Sequence, residues 1–157
     1  MDRINQVFDE TNTVIEPTYL EKKGIVLFRR VDNIIYVSGH GPEHAITNEP
    51  LFKGRIGTDL TPEEGYEAAR ECAVILLGAL QDILGNLDKV DRVIKAFAFV
   101  NCAEGFDDVE GVMDGFSDTI ASVLEIRGFH ARTVMGTHNL PNKNIPVEVE
   151  LIVSVKD

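Results

Sequence analysis

An α+β fold is what this sequence predicts: two helices packed on one face of a mixed β-sheet, in the order β-β-α-β-α-β-β. Three observations carry the prediction. Two segments place apolar residues at three- and four-residue steps, as amphipathic helices do. Five runs are rich in Val, Ile, Phe or Thr, as strands are. The helical segments are interleaved with the strands, so both can share one layer against the sheet. The 157 residues suit a single domain, 1–157. A chain of roughly 150 residues buries about 68–70% of its unfolded surface, enough for a core without staples.

Residues 1–23 are mixed and weakly patterned, and are read as an N-terminal extension. Ile25 to Val31 and Ile34 to Ser38 flank Asp32-Asn33, a two-residue turn signal, and predict a β-hairpin. Gly39 to Asp59 is rich in Gly, Pro, His and Asn. A loop of that length inside a small domain points to function. Thr61-Pro62-Glu63-Glu64 predicts a helix start, with Thr61 as cap, Pro62 at the first helical position and Glu64 completing a capping box. Ala69, Cys72, Ala73, Leu76, Leu80, Ile83 and Leu84 form its buried stripe, and Gly85 suits its C-terminal cap. Val93 to Val100 predicts a strand. A second helix is expected over about Phe106 to Ile126, with Val109, Met113, Phe116, Ile120 and Leu124 inward. Asp107, Asp108 and Glu110 suit its positive end, and Gly128 closes it. Arg132 to His138 and Val147 to Val155 are the remaining strands. In the latter, Val147, Val149, Leu151, Val153 and Val155 share one face; Glu148, Glu150, Ile152 and Ser154 share the other. That second face is either solvated or meets another subunit.

Composition excludes several functions. Fifteen Lys plus Arg against 26 Asp plus Glu give a formal charge of −11. Phosphate-held nucleic-acid binding needs the opposite balance, and so does docking on anionic membranes. Cys72 and Cys102 are far apart, with no CxxC, so neither a zinc site nor a disulfide framework is expected. His40 and His44 lie four apart but in a loop, without HExxH, and no metal is expected. Charges break the N-terminus and no apolar run approaches a membrane span, so the expected protein is soluble and cytoplasmic.

Arg132 is the first candidate for chemistry. Its guanidinium can grip a carboxylate through two parallel hydrogen bonds, or merely join a surface salt bridge. Glu148 is the second: partial burial would raise its pKa and let it hold a water, whereas a solvated face would leave it ordinary. A hairpin turn near Asn142 would set Arg132 opposite Ile152 rather than Glu148, so their meeting needs a twist, a bulge or a second subunit. Gly39 and Gly41, in Ser38-Gly39-His40-Gly41-Pro42, allow backbone to approach a ligand or simply make a tight turn. Ser38 and Ser117 lack a GxSxG elbow.

Taken together, three segments resemble the RidA (YjgF) family of small deaminases, from about Ile25 to the C-terminus. Val31-Asp32-Asn33-Ile34-Ile35-Tyr36-Val37-Ser38-Gly39-His40 is similar to its "G-N-hydrophobic-S-G-Q" strand and turn. His130-Ala131-Arg132-Thr133 is similar to its "P-A-R-[ST]", and Leu140-Pro141 with Val147-Glu148-Val149-Glu150 to its "L-P … V-E-I-E". The "HAR" form looks like a less-characterised branch. The resemblance implies a chorismate-mutase-like fold and a homotrimer whose sheets line a barrel, with clefts between subunits. It implies cofactor-free hydrolysis of enamine or imine intermediates to 2-keto acids and ammonia. Arg132 would bind the carboxylate of a small metabolite, Glu148 would position water, and Gly39 would border the cleft. By position, the family's glutamine is His40, its helix asparagine Asp114, its cysteine Val134, and its tyrosine falls near Val26; Tyr19 lies further upstream. His40 and Asp114 are thereby placed among the ligand-binding candidates. Asp114 would repel an acidic substrate. A non-catalytic carboxylate-binding protein with the same cleft is the alternative, and an endoribonuclease role the less favoured third.

Overall fold

Two antiparallel strands, β1 (Phe28–Val31) and β2 (Ile34–His40), open a computed structural model that describes residues 24–44 and 47–156. The residue-1–23 extension, including Tyr19, lies outside the described residues. Asp32 makes the hairpin turn in the left-handed region, at φ 52°, a conformation that Asp and Asn tolerate better than most residues. Helix α1 (Pro62–Leu84) starts as the sequence predicts. Thr61 Oγ1 accepts from the Glu64 backbone N–H, and the Glu64 carboxylate accepts from the Thr61 N–H. Gly85 closes it in the left-handed conformation, at φ 74°.

Strand β3 (Val90–Asn101) is longer at both ends than the predicted run. Helix α2 (Val109–Leu124) is shorter than expected. Asp108, not Phe106, begins it, because the Asp108 carboxylate accepts from the Gly111 N–H. A 3₁₀ turn, Glu125–Gly128, then carries the chain to β4 (Ala131–Thr137). β5 (Val147–Val155) completes the order β-β-α-β-α-β-β.

The strands lie in the order β1-β2-β5-β3-β4. β3 and β4 are parallel; the other pairs are antiparallel. The last two strands are therefore not a hairpin. β3 stands between them, because α2 provides the crossover that a parallel β3–β4 pair requires. β2 and β3 are in turn separated by β5, which bonds to both.

Both helices pack on one face. Val147, Val149, Leu151, Val153 and Val155 are at most 3% exposed there, with Ala96, Ala98 and Val100 of β3. The helices meet closely at Gly115, where any side chain would strike the Tyr66 carbonyl. Among the described residues, no helix packs on the second face. Tyr36, Ile152, Phe97, Phe99 and Met135 lie on it with Lys95, Glu148 and Glu150. Tyr36 and Met135 are 49% and 50% exposed.

Between β4 and β5, Asn142, Lys143 and Asn144 are all left-handed, with φ of 46°, 60° and 67°. Side chains stabilise this segment. Asn142 Nδ2 donates to Glu43 Oε1 and the Asn48 carbonyl, and Lys143 pairs with Glu49. The fully buried Asn101 donates to Asn144 Oδ1 and the Ile145 carbonyl.

Candidate functional site

The predicted residues fall into two groups on opposite faces of the sheet. β4 places Arg132 on the helix side: it is level with Ala96, which is level with Leu151. Glu148 is level with Phe99, which is level with Met135, on the open side. Within one chain, the two do not share a pocket.

Arg132 stands at the sheet edge under α2. Its side chain is 19% exposed. Nη2 pairs with Asp114 Oδ1 at 2.9 Å, and Nη1 donates to Ser117 Oγ at 3.0 Å. Glu110, Asp114 and Ser117 follow one another by four and three residues, so one stripe of α2 faces the guanidinium. Ser117 Oγ also lies 3.1 Å from His130 Nε2. His130 Nδ1 is 2.6 Å from the Gly128 carbonyl oxygen. Burial pushes the His130 imidazole below its ordinary pKa, and the Arg132 charge pushes it the same way, against the Gly128 contact. The ring is therefore a free base at neutral pH. Sequence reasoning proposed Arg132 and Asp114 and missed the Ser117–His130 partnership. The Glu110-Asp114-Ser117 spacing puts Ser117 on the stripe that meets Arg132, but nothing in the sequence brings His130 to it.

The second group lies at the end of β2. The β2–β5 register slips by one residue between Val37 and His40, so His40 pairs with Val149. Such bulges re-aim side chains beside sites. Gly39 lies directly under the Glu148 carboxylate; a side chain at 39 would occupy the carboxylate's place. Burial raises the Glu148 pKa, and the charges of Glu43 and Glu150 raise it further. Glu43 was not foreseen, since nothing in its loop pattern singles it out. His40 is half-buried, with Nδ1 2.7 Å from the Ser38 carbonyl, and burial lowers its pKa. Behind it, the Cys72 thiol donates to the His40 carbonyl, and burial holds it far above its ordinary pKa. Cys72 is therefore packing rather than a nucleophile. Ser38 Oγ donates to the Val26 carbonyl, which fixes the turn.

Chemically, the first group could grip an anion, with an imidazole beside it that burial shifts toward its neutral form. The second is a carboxyl group over a glycine floor, its pKa raised by burial and by the neighbouring Glu43 and Glu150 charges. Among the described residues, no cluster of three or more His, Cys, Asp or Glu could hold a metal ion. No helix among them is long and apolar enough to cross a membrane.

Comparison with known proteins agrees with the fold. A family model described as Endoribonuclease L-PSP matches residues 26–155. Protein TCP17 of Trypanosoma cruzi is 38% identical over 124 residues, covering 78% of this chain and 76% of that protein. The crystal structure of Atu1372, a protein of unknown function from Agrobacterium tumefaciens, superposes with a TM-score of 0.81 at 33% identity, over 99% of this chain and 95% of that one. RidA from the Antarctic bacterium Psychrobacter sp. PAMC 21119 shares the fold, with a TM-score of 0.58 at 18% identity over 83% of this chain and 88% of that one.

Proposed function

The chain belongs to the endoribonuclease L-PSP family, which includes the Rid proteins, and from that premise we propose that it hydrolyses a reactive enamine or imine acid to a 2-keto acid and ammonia. The observation that carries the reading is the part-buried Arg132, whose guanidinium is braced by Ser117 and Asp114 at the sheet edge. A planar fork so held suits the carboxylate of a small metabolite.

Glu148 orients the water in this reading. Its raised pKa supports a role in proton transfer. Because Arg132 and Glu148 lie on opposite faces, one chain supplies the arginine and a neighbouring copy the glutamate. A homotrimer with clefts between subunits meets that requirement. The apolar residues on the helix-free face, Tyr36, Phe97, Phe99, Met135 and Ile152, support such an assembly. Gly39 would form the cleft floor, with His40 behind it and Asp114 at the mouth. No cofactor takes part, and the cytoplasm is the setting.

The test is turnover of 2-iminobutyrate, generated in situ by an amino-acid oxidase or dehydratase. Arg132→Ala should abolish the added rate; an unchanged rate refutes the assignment. The separation of Arg132 from Glu148 also favours a second reading, a carboxylate-binding protein without turnover. Calorimetric binding of 2-oxobutyrate with no hydrolysis by any assembled form would establish it. Endoribonuclease activity fits poorly with a charge of −11. RNA cleavage that survives stringent purification and disappears in Arg132→Ala would reverse that judgement.

A further inference from the structure

We propose that Ser117 and His130 form a proton-accepting pair beside Arg132 that completes release of the keto acid, an inference that rests on the deaminase reading above. The directions of the hydrogen bonds are set by chemistry. The Gly128 carbonyl can only accept, so His130 Nδ1 carries the ring proton and donates it across 2.6 Å. Nε2 of the neutral ring is then a bare acceptor, and Ser117 Oγ–H donates to it across 3.1 Å. Arg132 has no acceptor, so Nη1 donates to Ser117 Oγ across 3.0 Å. The chain runs one way, from arginine through serine to imidazole. Phe116 holds the ring edge-on, with centroids 6.1 Å apart. A nearby cation makes the hydroxyl more acidic, and a fixed neutral imidazole is ready to take its proton.

The same guanidinium that would hold a ligand carboxylate touches Ser117. The carbon next to that carboxylate, which is the reacting carbon of a 2-imino acid, is thereby brought beside the hydroxyl. The charge that acts on the ring is Arg132 on β4; on α2, Asp114 pairs with that guanidinium, and Asp118, next to Ser117 in the chain, accepts from Tyr66 Oη of α1.

The proton balance gives the pair a defined task. Water oxygen bonds to the iminium carbon, its proton passes to the Glu148 carboxylate, and the C=N pair moves to nitrogen. The product is a neutral carbinolamine. The protonated Glu148 then returns its proton to nitrogen. Ser117 Oγ takes the carbinol proton as it passes its own to His130 Nε2. The C–N bond breaks, ammonia leaves, and a C=O bond forms. The imidazolium releases its proton to solvent.

The test compares Ser117→Ala and His130→Gln with wild type in the full-length protein. Both variants should lower kcat by about 100-fold, the range for a lost general base. Binding of 2-oxobutyrate by His130→Gln, read by calorimetry, should stay within about threefold, because Arg132 and the Ser117 hydroxyl that braces it both remain. The imidazole limb of the kcat–pH profile should vanish in His130→Gln, which leaves the Ser117–Arg132 bond in place. Ser117→Thr should recover most of the rate. The proposal is overturned if kcat stays within about twofold with that limb intact, or if kcat falls only in step with 2-oxobutyrate affinity. Full turnover in Arg132→Ala, or none in wild type, overturns the deaminase reading and the pair's role with it. That pattern is distinct from a silent His130→Gln in an enzyme that needs Arg132.

Discussion

Arg132 and Glu148 project from opposite faces of one sheet: Arg132 is level with Ala96 and Leu151, and Glu148 with Phe99 and Met135. Any reaction that uses both side chains must therefore recruit them from different copies. Disrupting the helix-free face should abolish it. Light scattering should give three times the chain mass for wild type and a single chain for the double variant Tyr36→Glu/Met135→Glu. Imine turnover should fall at least about tenfold. A monomeric variant with full activity would mean that one chain suffices.

Asp114 competes for the guanidinium. It pairs with Arg132 at 2.9 Å while its own side chain is 56% exposed. With one partner this exposed, solvent screening keeps the pair to about 0.2–1 kcal/mol. Asp114→Ala should accordingly tighten 2-oxobutyrate binding by up to about fivefold. Weaker binding in the calorimeter would show instead that Asp114 is needed to aim Arg132.

Gly39 leaves room for the Glu148 carboxylate. Gly39→Ala should force that carboxylate aside, with a cost of about 1–3 kcal/mol in unfolding free energy. For a domain of this size that corresponds to a midpoint lower by about 2–4 °C per kcal/mol. Turnover should fall more than 2-oxobutyrate affinity, since the arginine clamp lies elsewhere.

Burial and the Glu43 charge raise the Glu148 pKa. The native state thus binds this proton more tightly than the unfolded chain does, and by linkage the protein loses stability as pH rises from the unfolded to the folded pKa of Glu148. Ionised Glu148 is the destabilising form. Glu148→Gln should remove that slope and raise the thermal midpoint above wild type at about pH 7, while hydrolysis is lost. Parallel midpoint curves for the two proteins would contradict the cause assigned here.

Local chemistry was legible in the sequence, and lateral order was not. The Thr61-Pro62-Glu63-Glu64 signature, the Gly85 cap and the Val147–Val155 alternation depend on neighbours within one turn or one strand, and all appear as read. The position of β5 between β2 and β3 depends on long-range pairing, which periodicity does not encode. That is why Arg132 was measured against Ile152 as though β4 and β5 were adjacent. Arg132 stood out as a guanidinium at the start of a strand just after a helix, and Glu148 as a carboxylate on a strand; the family resemblance, rather than spacing, set them above a salt bridge and a solvated face. Ser117 and His130 did not, because their meeting depends on a helix packing over a strand. Glu43 reaches Glu148 through a loop fixed by Asn142, and neither residue has a periodic signature.

β5 is the last of the five described strands to leave the ribosome, yet it occupies the middle of their sheet. Until it arrives, β2 and β3 each present a bare hydrogen-bonding edge, and such edges invite wrong partners. Synthesis of residues 147–155 is thus the event that lets the nascent chain become a sheet, and a transcript cut short before Val147 would yield an aggregation-prone product rather than a smaller working domain.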